Sequence, residues 1–153
     1  MKKSAGILVY RKTGDEPEYF LVHPGGPFWK SRDAGVWSIP KGEFTDGEDA
    51  EQAARREFQE ETSISVTGKL HQLKSVKQKS GKWVFAFYAK KDFDAGSIKS
   101  NEFELEWPPK SGRKILIPEV DRAGWFTIVD AREKILPGQL PLLDELDSLV
   151  NVR

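Results

Sequence analysis

Three carboxylates, Glu57, Glu60 and Glu61, stand at i, i+3 and i+4 within Arg56-Glu57-Phe58-Gln59-Glu60-Glu61-Thr62. On a helix that spacing puts them on one face. Like charges so placed repel, by about 0.2–0.5 kcal/mol per pair on an exposed helix. A cation between them removes the cost. Clustered hard oxygen ligands favour Mg²⁺ or Mn²⁺, and Mg²⁺ commonly bridges protein carboxylates to phosphates. Alone, the three glutamates fit a solvated helix face better than a metal site. Arg56 can reach Glu60 at i+4, and its planar fork can hold a carboxylate in place.

Positioning these groups requires a helix. Ala50, Ala53, Ala54 and Phe58 supply an apolar stripe at helical spacing, with Asp46 the expected N-cap. Strands are expected at Ala5 to Tyr10 and Glu18 to His23, joined by the turn cluster Lys12 to Pro17. Further strands are expected at Val36 to Ile39, Ile64 to Val76, Trp83 to Ala89 and Ala123 to Ile128. Residues 91–114 read as a long irregular loop, of the kind that is usually functional or mobile. A short helix at Asp130 to Ile135 and an amphipathic one at Pro141 to Val150 complete the pattern. Strands with interspersed helices indicate an α/β or α+β protein with a mixed sheet.

The 153 residues suit one domain with a real core, taken as 1–153. Lys plus Arg and Asp plus Glu balance at 24 each, so nothing in the net charge supports a polyanionic partner such as a long nucleic acid. The chain has no cysteine, which excludes a disulfide framework and a thiolate site. No apolar run approaches a membrane span, and the first ten residues read as a strand rather than a signal peptide. A cytoplasmic protein is the expectation.

The segment from Gly42 to Ile64 resembles the Nudix (MutT-like) box, G-x5-E-x7-R-E-U-x-E-E-x-G-U with U apolar. Gly42, Glu48, Arg56, Glu57, Phe58, Glu60, Glu61 and Ile64 all match, and Ser63 replaces the late glycine. At average composition such a match arises by chance on the order of once in a million chains. The resemblance implies a Nudix α/β/α sandwich with a mixed β-sheet. It also implies hydrolysis of a phosphoanhydride bond in a nucleoside diphosphate-linked substrate, aided by Mg²⁺ or Mn²⁺. By resemblance, Glu57, Glu60 and Glu61 hold the metal, and the Gly42 carbonyl can join them. Glu57 or Glu60 instead can serve as the base or orient the water. Glu48 and Arg56 take the supporting role of fixing those ligands. Ser63 falls where glycine normally suits a left-handed helix end, at a cost of about 1 kcal/mol.

Trp37-Ser38-Ile39-Pro40-Lys41-Gly42 resembles the W-x-x-P-K-G lead-in of many Nudix proteins. Lys41 is a candidate for a substrate phosphate. Trp37 is a candidate for either the core or base stacking, and Glu43 is a further possible ligand. Glu119, six residues before Trp125, resembles the glutamate that completes such sites from outside the box; Glu104 and Glu106 are alternatives. Phe28, Trp29 and the loop at Trp107 could stack an adenine or serve an interface between copies. Lys79, Lys82, Arg113 and Arg122 are candidates for a phosphate-facing patch. His23 and His71, isolated from one another, make no metal or triad site. The expected substrate is a small nucleotide, an NTP or diadenosine polyphosphate. The alternatives are a noncatalytic nucleotide-sensing Nudix domain and an RNA-cap or 5′-end hydrolase.

Overall fold

Alternation of side chains along two buried strands sets the architecture. In the computed structural model, which describes residues 2–151, β1 (Lys3–Arg11) and β2 (Glu18–Pro24) are buried on both faces. Ala5, Ile7 and Val9 of β1, with Phe20 and Val22 of β2, enter one apolar cluster. Leu8, Tyr19 and Leu21 enter a second on the opposite face. A strand shows alternate residues to alternate faces, so each of these strands serves two cores.

Helix α1 (Ala50–Thr62) covers the first face through Ala53, Ala54 and Phe58, all fully buried. Helices α2 (Ile128–Lys134) and α3 (Leu140–Val150) cover the other through Ile128, Ala131, Leu142, Leu143 and Leu146. This is the α/β/α layering expected. The remaining strands are β3 (Lys41–Glu43), β4 (His71–Gln72), β5 (Val76–Lys77), β6 (Trp83–Lys90), β7 (Glu102–Glu106), β8 (Lys114–Pro118) and β9 (Val120–Phe126). The main sheet runs β4-β6-β1-β2-β9, with β3 on β1 and β5 on β6. It is mixed: β1 and β6 are parallel, whereas β2 pairs antiparallel with both β1 and β9. Strands β7 and β8 form a separate antiparallel hairpin.

Four expectations are corrected. The N-cap of α1 is Asp49, whose side chain accepts from the Gln52 N–H; Asp46 pairs with Lys3 instead. Val36 to Ile39 forms no strand, only isolated bridges. The Trp37 N–H donates to Lys134 O and the Ser38 N–H to Val22 O, so consecutive groups bond to different neighbours. Ile64 to Val76 is mostly loop because the Arg55 guanidinium takes the Val66 and Gly68 carbonyls that a ladder would use. Residues 91–114 contain a short 3₁₀ turn, Ala95–Ser97, all of β7, and the start of β8.

Candidate active site

Two turns of α1 and two strand ends build the site. Helix α1 lies with Glu57 and Glu61 toward the sheet, where they are 7% and 8% exposed. Glu119, between β8 and β9, brings a third carboxylate. One oxygen from each of Glu57, Glu61 and Glu119 falls within 4.8 Å of the others. Glu60, one residue before Glu61, lies outside this trio. Its Oε1 accepts from Arg56 Nη1 at 3.2 Å, and the side chain is partly open to solvent.

Strand β3 closes the other side. Gly42 pairs with Ala5 of β1, directly against Glu57. A Cβ placed on Gly42 would lie 2.0 Å from the Glu57 carboxyl carbon, so only glycine admits the carboxylate here. Arg56 fixes the cluster from outside. Its Nε and Nη2 donate to the two Glu48 oxygens, both at 2.9 Å, while Nη1 donates to Glu57 Oε1 at 2.8 Å. This bidentate fork raises the Arg56 pKa and lowers that of Glu48. One guanidinium thereby orients Glu57 and Glu60 together.

The electrostatics are those of a site short of positive charge. Burial first, and then the Glu119 charge, push Glu61 up to about 8, against the partial opposition of Lys41. Burial and then Glu60 raise Glu57, against the pull of Arg56. Lys41 is itself lowered, by burial and then by Lys82. Converging carboxylates, all hard oxygen donors, with glycine backbone pressed against one of them, fit a divalent cation such as Mg²⁺ or Mn²⁺. Glu57, Glu61 and Glu119 are the residues that would hold it.

Beside the trio opens a cleft of about 330 Å³, with Glu61, Glu119 and Lys41 in its lining. Elsewhere its wall includes Val22, Ile39, Leu136, Trp29 and Phe103. Trp37 is 5% exposed in the core, its Nε1 donating to Asp33 at 2.8 Å and its ring edge-on to His23 and Phe126. Glu43 is exposed and faces Lys82 at 3.7 Å. Glu104 and Glu106 are exposed on β7, and Trp107 sits at the hairpin turn. The four cations do not assemble into a patch: Arg122 covers the Trp37 ring, Lys82 faces Glu43, and Lys79 and Arg113 lie exposed in separate turns. His23 is fully buried between Asp121 Oδ1 and Arg32 O, and His71 stacks on Tyr88.

Asn101 and Phe103 join the site from outside any recognised motif. Asn101 Nδ2 donates to Glu119 Oε1 at 3.3 Å, and its backbone N–H donates to Glu60 O at 2.9 Å. The alternation Glu102-Phe103-Glu104-Leu105-Glu106 is a period-two signal that could have exposed the strand carrying Phe103. Ser63 closes α1 at φ 63°, the left-handed conformation that its position in the box implies.

The family model for the NUDIX domain matches residues 1–146. The bis(5′-nucleosyl)-tetraphosphatase (asymmetrical) of Caenorhabditis elegans is 38% identical over 63 residues, 41% of each chain. The chain therefore aligns with less than half of that relative. Among solved structures, a C. elegans Ap4A hydrolase binary complex superposes with a TM-score of 0.68 at 24% identity, over 96% of this chain and 97% of that one. The NUDIX domain of Shewanella oneidensis NrtR complexed with ADP ribose gives 0.66 at 18% identity, over 97% and 87%. A mutT/nudix family protein from Listeria innocua gives 0.63 at 19%, over 97% and 93%. At these identities the structural likenesses speak for the fold. With the box glutamates, the Gly42 contact and the Arg56–Glu48 fork all in place, the match over nearly the whole length means that this chain belongs to the NUDIX domain family.

Proposed function

We propose that the protein hydrolyses a phosphoanhydride bond in a nucleoside diphosphate-linked substrate, an NTP or a dinucleoside polyphosphate, with Mg²⁺ or Mn²⁺ as cofactor. The observation that carries this reading is the convergence of Glu57, Glu61 and Glu119, two of which, Glu61 and Glu119, line a cleft together with Lys41 and apolar walls. The similarity to a tetraphosphatase that acts on bis(5′-nucleosyl) compounds favours this substrate class. Phosphoryl transfer asks a protein mainly to position groups and to offset charge on phosphoryl oxygens. A divalent ion, which Glu57, Glu61 and Glu119 would hold, would supply that offset. Lys41, in the lining of the same cleft, adds a cationic contact to the polyphosphate. The apolar wall takes the nucleoside. Glu60 lies outside the trio, is reached by solvent and is steadied by Arg56; it accepts the proton of the attacking water as the new oxygen–phosphorus bond forms and the bridging P–O bond of the anhydride breaks, the leaving phosphate departing with the bond's electron pair.

The test is nucleotide or phosphate release, with and without Mg²⁺, across NTPs, diadenosine polyphosphates, ADP-ribose and capped RNA. Turnover of one class that needs the ion and is lost in Glu60→Gln, with Mn²⁺ affinity kept in that variant, is the expected result. Binding of a nucleotide with no turnover anywhere in the panel would overturn the enzyme reading in favour of a sensing domain.

A further inference from the structure

The β7–β8 hairpin stands apart from the main sheet, between Asn101 and Glu119. Its register pairs Phe103 with Ile117 and Leu105 with Ile115, so these four share one face, and the glutamates of β7 take the other. Two strands alone are marginal in water. This pair is held at its base. The Glu119 N–H donates to Asn101 O at 3.0 Å, and the Gly25 N–H donates to Glu119 O at 2.9 Å. Two glycines let the β2 loop come this close. A Cβ on Gly25 would lie 2.0 Å from Pro118 O, and one on Gly26, at φ +101°, would lie 2.8 Å from Ile117 Cδ1. Three residues beyond Gly26, in a turn closed by its carbonyl, comes Trp29. The hairpin and the Trp29 loop are thus docked on each other, and each sends one aromatic side chain into the wall of the same cleft. Phe103 remains 41% exposed there, a large apolar surface with little protein over it.

We propose that the β7–β8 hairpin is the specificity arm of this site. In this reading, Phe103 and Trp29 clamp the nucleobase of the substrate, and the hairpin base sets the distance from that base to Glu119. A planar aromatic ligand suits two ring walls on rigidly joined segments. Glu61, Glu119 and Lys41 in the lining of the same cleft favour a ring that is joined to a polyphosphate. The inference rests on the nucleotide-hydrolase reading and extends it to the residues that choose the substrate.

Four chains test it: wild type, Phe103→Ala, Phe103→Trp and Leu116→Ala. Leu116 is 65% exposed on the opposite hairpin face and controls for truncation as such. KM is measured for ATP and diadenosine tetraphosphate, and inorganic tripolyphosphate serves as a base-free competitor. Removing one stacking wall is expected to raise KM for the nucleotides about tenfold. The tripolyphosphate inhibition constant and kcat stay within about twofold. Phe103→Trp restores KM, and Leu116→Ala leaves it unchanged. An unchanged nucleotide KM in Phe103→Ala, or an equal loss for tripolyphosphate, would overturn the clamp while leaving the hydrolase reading standing. If wild type turns over neither nucleotide, calorimetric binding of a non-hydrolysable ATP analogue decides separately: a tenfold weaker affinity in Phe103→Ala supports the clamp, and an equal affinity overturns it.

Discussion

Glu61 makes the metal-free protein lose stability as pH rises. Its carboxyl is pushed from the ordinary 4.5 up to about 8, first by burial and then by the Glu119 charge. Between those two values the folded chain holds a proton that the unfolded chain has released. Stability therefore is fully present below about pH 4.5 and is lost as pH climbs through about 8. Over pH 5 to 8.5 the loss from this one group is roughly 4 kcal/mol. For a chain of this size that corresponds to a fall in Tm of about 10 °C. Glu61→Gln cannot ionise, so it removes the effect while keeping the shape. Thermal melts of both proteins in EDTA at several pH values isolate the contribution as the wild-type minus Glu61→Gln difference. That difference should be small at pH 5 and strongly unfavourable to wild type at pH 8.5. Saturating Mg²⁺ should restore the wild-type Tm at pH 8.5 and do little for Glu61→Gln. A wild-type minus Gln difference that is flat with pH in EDTA would refute the reasoning.

Gly42→Ala puts a methyl where the Glu57 carboxylate now sits, 2.0 Å from its carbon, so Glu57 must turn away. Mn²⁺ affinity, read by electron paramagnetic resonance, should fall by about tenfold or more while circular dichroism stays native. Arg56→Lys keeps the charge but cannot make the two bonds to Glu48 and the third to Glu57 at once. It should weaken Mn²⁺ binding by about tenfold, and an unchanged affinity would show that the fork does not orient the ligands. Asn101→Ala deletes only the amide donor to Glu119, because the backbone bonds to Glu60 and Glu119 do not need the side chain. A loss of about tenfold in Mn²⁺ affinity with an unshifted Tm is expected, and titration calorimetry measures it.

Local sequence carried much of this protein. The stripe of Ala53, Ala54 and Phe58 fixes which side of α1 is buried, and the alternation in β1 and β2 fixes a sheet with two covered faces. Legibility failed where backbone groups find partners far along the chain. Asp46 reads as the cap of α1, but Lys3, far away in sequence, takes it, and Asp49 caps the helix instead. Val36 to Ile39 has strand composition, but the N–H groups of Trp37, Ser38 and Ile39 go in turn to α2, to β2 and to the Gln139 side chain. Residues 91–114 look irregular because Pro108, Pro109 and Gly112 dominate the reading; the period-two signal before them is only five residues long.

By itself the sequence determined the chemistry on offer: a helix face of carboxylates, a glycine that must meet them, and an arginine placed to hold them. Helical periodicity does this locally, since three and four residues bring side chains to one side. Tertiary structure alone decided which carboxylates converge. The roughly 100° turn per residue separates Glu60 from Glu61, but only packing of α1 against β1 and β3 buries Glu61 and leaves Glu60 open. The same packing selected Glu119 over Glu104 and Glu106. The hairpin base, held by Asn101 and Gly25, turns Glu119 inward while its strands carry the other two into solvent.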